Sequence, residues 1–106
     1  MNFKVERINT DILRVLTLAI QKSQDASLAD IIIQRVETTA DLSEAKVYVN
    51  GGLLALEHAS GFLRTEVAQR VKMKQAPRLK FIVDRGLENA ERVEELLKLI
   101  SKTPSN

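Results

Sequence analysis

Six cations, Arg64, Arg70, Lys72, Lys74, Arg78 and Lys80, fall between Phe62 and Lys80 against the single acid Glu66. Six positive charges less one negative leave a local +5 in a chain whose net charge is only +2. A segregated basic segment attracts polyanions even where the total charge is small. Phosphate contacts are the chemistry that such residues offer, expected here for about four of them, and they bring affinity and salt sensitivity without reading sequence. Lys80 alternates with core residues in a strand pattern and also fits a sheet-surface charge. From Asp84 to Ile100 five acids face three bases, a local −2.

Just upstream, Ala59-Ser60-Gly61 interrupts a helical pattern. Glycine inside a helix costs about 1 kcal/mol against alanine, and a Gly/Ser pair is a recognised place for a sharp bend. Spacing alone leaves two readings equal. The glycine could let a helix pass close to a sheet. Alternatively, a kink frees backbone N–H groups for phosphate oxygens, and a small residue lets a nucleic-acid backbone approach.

Other chemistries find little material. There is no cysteine, which excludes disulfides, thiolate metal sites and thiol nucleophiles and suits a reducing cytosol. His58 is the only histidine and reads as a surface residue beside the kink, with a base or phosphate contact as its functional alternative. Glu94 and Glu95 are adjacent and diverge on a helix, so they form no catalytic pair. Glu88, Glu91 and Glu95 read as a solvated row with helix N-terminal charge support. No phosphate-binding glycine loop and no metal-ligand cluster is present, so no catalytic residue, metal, cofactor or small-molecule substrate is expected. Among the aromatics, Phe62 and Phe81 occupy core positions of their patterns, whereas Tyr48 points to the opposite strand face and stays open as a base-stacking residue.

These residues need elements to hold them. Val5, Ile8, Ile12, Val15 or Leu16, Ala19 and Ile20 recur on one face of a helix spanning residues 3–22. Ile31 to Thr39 reads as a β-branched strand, Ala40-Asp41-Leu42-Ser43 as a turn, and Ala45, Val47 and Val49 as the inward face of a second strand. So short a connection joins antiparallel neighbours. Leu53, Leu54 and Leu56 open a helix, and Phe62, Leu63, Val67 and Val71 carry its apolar face past the kink. Ala76-Pro77 stops it. Leu79, Phe81 and Val83 alternate as a third strand, which a right-handed helical crossover sets parallel to the second. Ala90, Val93, Leu96, Leu97 and Ile100 mark a last helix, and residues 103–106 a frayed tail.

The order is helix, strand, strand, kinked helix pair, strand, helix: an α+β domain with helices on one face of a three-stranded mixed sheet. At 106 residues the chain fits one domain, 1–106, with roughly two-thirds of its surface buried on folding. No secretory signal opens it, and no apolar run approaches the ~20 residues that span a bilayer.

That order is the type II KH arrangement, and four blocks resemble the ribosome-binding factor A family. They are Asp41-Leu42-Ser43-Glu44-Ala45-Lys46-Val47-Tyr48-Val49, the stretch Ala59-Ser60-Gly61-Phe62-Leu63-Arg64-Thr65-Glu66-Val67, the run from Val71 to Phe81, and Ala90 to Leu97. The resemblance implies a non-catalytic, cytoplasmic, monomeric assembly factor that binds the immature small ribosomal subunit and its 16S RNA. It further implies a role in late 16S maturation and cold adaptation. It assigns RNA contact to Ala59, Ser60 and Gly61, and the basic segment adds Arg64, Arg70, Lys72, Lys74 and Arg78. The family's Ala-x-Gly kink replaces the GxxG loop of ordinary KH domains, and no two of the four glycines here stand at G-x-x-G spacing. A KH-like module for any single-stranded RNA is the alternative. Two departures bear on the site. Only nine residues, Asn50 to His58, precede the kink, which allows a helix of about two turns at most. Arg78 stands where family members often carry an acid.

Overall fold

The computed structural model describes residues 3–84. The last helix, the acidic row and the tail expected from the sequence lie outside the described residues.

Helix α1, Phe3–Lys22, forms as its periodicity requires. Ile8, Ile12, Val15, Leu16, Ala19 and Ile20 are buried, and their three- and four-residue spacing puts them in one stripe. That stripe packs on strand β1, Ile33–Thr38. The strand starts two residues later than the β-branched run suggests. Ile32 is 63% exposed, and its N–H is taken by the Asn50 side-chain oxygen at 2.8 Å rather than by a strand. The Asn50 amide nitrogen also donates to the Asp30 carbonyl at 3.0 Å, so one side chain ties off the strand entry.

A tight turn joins β1 to β2, Glu44–Val49, in an antiparallel pair. Asp41 Oδ1 accepts from the Thr39 hydroxyl at 2.7 Å, the Ser43 hydroxyl at 2.8 Å and the Ser43 N–H at 3.1 Å. These bonds, the Thr39 hydroxyl foremost, lower its pKa from 3.8 to about 2. They hold the loop with Leu42 at φ 64, a left-handed conformation that leucine rarely adopts.

β2 is the central strand, and β3, Arg78–Val83, lies parallel to it in the order β1-β2-β3. Ala45, Val47 and Val49 are fully buried from the helix side, while Leu79, Phe81 and Val83 pack against the same core. The crossover between β2 and β3 contains helix α2, Leu53–His58, and helix α3, Ser60–Arg70. α2 is as short as Asn50 to His58 allows. It starts on Gly52 at φ 74, where an added Cβ would stand 2.6 Å from Ile31 Cδ1, so a side chain is opposed by both backbone and neighbour.

The break between the helices falls on Ala59, at φ −91 and ψ 0, and Gly61 sits inside the first turn of α3. The kink is therefore in the expected triad but two residues before its glycine. Ala59 packs against the core between the fully buried Leu56 and Leu63, which fixes both helices to one surface. Phe62 corrects the sequence reading. Leu63 and Val67 take the inward face, Phe62 is turned about 100° from Leu63, and the residue is 47% exposed.

Two measurements test these constraints. Gly52→Ala lowers the unfolding free energy by about 1–2 kcal/mol in a urea titration, and an unchanged midpoint would show that backbone and Ile31 yield freely. For Asp41 the depressed pKa means stability fully present above pH 3.8 and lost as pH falls through about 2. The gap in melting temperature between the native chain and Asp41→Ala therefore closes between about pH 4 and pH 2.

Candidate nucleic-acid interface

The parallel register sets Arg78 beside Glu44, and the Arg78 N–H donates to the Ser43 carbonyl at 2.9 Å. The end of the crossover thus meets the hairpin turn. Between them opens a groove of about 860 Å³ lined by five cations, Lys4, Arg64, Lys72, Lys74 and Arg78, with Asp41, Ser43 and Ala76. The one carboxylate in this lining, Asp41, already accepts three hydrogen bonds inside its turn. Five positive charges around one groove raise the local potential well beyond what each would produce alone.

Arg64 does more than add charge. From α3 its guanidinium donates to the Ala76 carbonyl at 3.1 Å, which ties the segment bearing Lys72 and Lys74 back to the helix. The buried Ala76 and Pro77 anchor that segment from below.

Of the residues expected to bind, Arg64, Lys72, Lys74 and Arg78 come together here. Arg70 does not. It lies on another side of α3 and pairs with Glu66 at 3.4 Å, one turn back. Lys4 is the addition. On the pattern of α1 it is an ordinary exposed charge, and only the tertiary contact between α1 and α3 brings it to the groove. A second, shallower depression of about 480 Å³ holds Ser60 with Arg78 and Lys80, but also Glu44 and Glu57. Arg78 borders both, and so connects the groove to the helix break.

Gly61 is exposed, its φ is not left-handed, and a Cβ built on it meets nothing within 4 Å. Neither backbone conformation nor internal packing requires glycine there, which removes the reading of a helix passing close to the sheet. His58 is exposed at the end of α2. Tyr48, left open by the sequence, is engaged. The Arg35 guanidinium lies 3.8 Å from its ring centroid, and its hydroxyl donates to Glu37 at 3.1 Å. Arg35 in turn pairs with Asp84 at 2.7 Å. This cluster covers one face of the only aromatic ring that β2 presents on the outer sheet surface. Among the described residues no group of three or more His, Cys, Asp or Glu side chains could hold a metal ion, and no helix is long and apolar enough to cross a membrane.

A mixed three-stranded sheet, helices on its inner face, an interrupted helix pair in the crossover and a cationic groove at its end define a type II KH-like fold. The family model of ribosome-binding factor A matches residues 4–97, and the chain belongs to that family. Curated relatives agree. The ribosome-binding factor A of Brevibacillus brevis is 30% identical over 92% of this chain and 89% of its own length, and that of Syntrophomonas wolfei is 31% identical over the same shares. The crystal structure of ribosome-binding factor A from Thermus thermophilus superposes with a TM-score of 0.71 at 31% identity, covering 77% of this chain and 98% of that one. A homology model of Thermus thermophilus ribosome binding factor A, fitted into a cryo-EM map of a 30S–RbfA complex, superposes with a TM-score of 0.61 at 33% identity, covering 72% and 90%.

Because Gly61 has open space around it, Gly61→Ala stabilises the free chain by up to about 1 kcal/mol in chemical denaturation. A loss of stability instead would mean that the glycine serves the fold.

Proposed function

We propose that this chain is a non-catalytic assembly factor that docks on the immature small ribosomal subunit. The observation that carries this reading is the convergence of Lys4, Arg64, Lys72, Lys74 and Arg78 on one groove that opens beside the helix break. Phosphates of the RNA backbone occupy the groove, and Ala59, Ser60 and Gly61 give close approach at the break, where first-turn N–H groups of α3 are suited to phosphate oxygens. The Thermus thermophilus relative fitted into a 30S complex supports the choice of the small subunit as partner. On this reading the chain works in the cytoplasm as one RNA-binding domain, without a cofactor, during late 16S maturation and growth in the cold. Arg70 contributes from outside the groove.

Co-sedimentation with small subunits in a salt series tests it. With phosphates in the groove, Lys72→Ala with Lys74→Ala flattens the log–log salt dependence by about 1.4 to 1.8. Gly61→Ala weakens binding although it strengthens the fold. An unchanged slope and affinity would remove the groove from the proposal. Equal affinity for small subunits and bulk single-stranded RNA would favour a general KH-like RNA module. Normal 16S processing and cold growth in cells lacking the chain would remove the maturation role.

A further inference from the structure

Phe62 is a large apolar residue left 47% exposed on the first turn of α3, outside both the buried core and the half-buried residues packed against it. Among the described residues no cation or other ring stacks on it, in contrast to Tyr48 under Arg35. Its place on the helix gives that exposure a direction. Leu63 and Val67 define the inward side. At about 100° per residue, Gly61 and Phe62 then stand on either side of the outward direction, opposite the core. A chain lying across the first turn of α3 meets both at once. At Gly61 it finds no side chain and open space. At Phe62 it finds an exposed aromatic side chain.

An extended polymer with a charged backbone and flat side groups fits that pair of surfaces. From these observations, and resting on the proposed RNA-binding function, we propose that Phe62 is a stacking platform for an unpaired RNA base whose backbone passes over Gly61. Arg70 follows Phe62 along one strip of α3 through Glu66, at four-residue steps, and is paired with that acid at 3.4 Å, so the strip adds no net charge of its own. The groove at the other side of α3 then holds neighbouring phosphates. Stacking on an aromatic ring tolerates any base, so this contact adds affinity for single strands and no sequence code. The exposed Leu54 on α2 would suit an apolar protein partner better than a base, and the experiment separates the two.

The chain has no tryptophan, so Phe62→Trp is a unique reporter in the full-length protein. Its emission is expected to be solvent-exposed in the free chain and quenched by a single-stranded RNA dodecamer, but not by an abasic dodecamer of the same charge. Phe62→Leu is expected to weaken binding to the RNA dodecamer about 5- to 100-fold, with no effect on the abasic one, on the salt slope or on the melting temperature. Phe62→Tyr is expected to restore it. Blue-shifted emission in the free chain, equal loss on both oligomers, or weakened binding only to whole subunits would overturn the stacking role, the last by pointing to a protein contact. Lys72→Ala with Lys74→Ala runs in parallel. If that variant loses RNA affinity while Phe62→Leu does not, stacking alone is wrong; if the native chain binds neither RNA nor small subunits, the RNA reading fails with it.

Discussion

The parallel pairing of β2 and β3 is the constraint from which the rest follows. A parallel neighbour cannot be reached by a turn, so the chain must leave the far end of β2 and return to its near end. The residues between Val49 and Arg78 make that journey, and their return sets Arg78 against Ser43 at the mouth of the hairpin turn. The groove is the seam left where the returning segment closes on the turn. Its cations come from the start of α1, the middle of α3 and the return segment, elements distant in sequence that this single pairing assembles. Arg64 fastens the seam through the Ala76 carbonyl, so a residue that supplies charge also shapes the wall that carries the other charges.

Internal stability and external fit pull apart at the first turn of α3. Alanine at position 61 would serve a solitary helix better, and a smaller or polar residue at 62 would remove an apolar ring from water. Both choices are locally unfavourable and contribute nothing visible to the core. They sit side by side on the face turned away from it. Gly52 provides the contrast, since there the left-handed backbone and the Ile31 side chain account for the glycine completely.

Much of this was legible in the residues. The stripe of α1 and the alternation in β2 and β3 are periodic signals that burial imposes directly, and they appear where the pattern puts them. Helix α3 instead ends at Arg70, ahead of the expected stop at Ala76-Pro77, because the backbone already turns extended at Val71 (φ −99, ψ 130). The basic segment was visible as a charge imbalance. Its division was not, because the separation of Arg64 from Arg70 depends on how α3 rolls against the sheet. Lys4 was invisible for a related reason: nothing in an amphipathic helix reveals which loop its first turn will adjoin. Phe62 was misread because an aromatic beside Leu63 extends an apolar run in sequence, while α3 points only the Leu63–Val67 side at the core and leaves Phe62 about 100° round from it. The break was expected from Gly61 and formed at Ala59, because contact of Ala59 with the core fixes where the helix direction changes.

The edge of the sheet at β1 carries one more consequence. β1 is an edge strand, and an edge strand exposes unpaired donors and acceptors to any other chain that can extend the sheet. Here its register shifts between Ile33 and Arg35, and beyond Ile33 the Asn50 backbone N–H and side chain satisfy the Ile32 carbonyl, the Ile32 N–H and the Asp30 carbonyl on the side facing β2, which ends the β1–β2 pairing. The open side of β1 is blunted instead by that irregular register and by the charged side chains of Arg35 and Glu37, which disfavour pairing with a further strand.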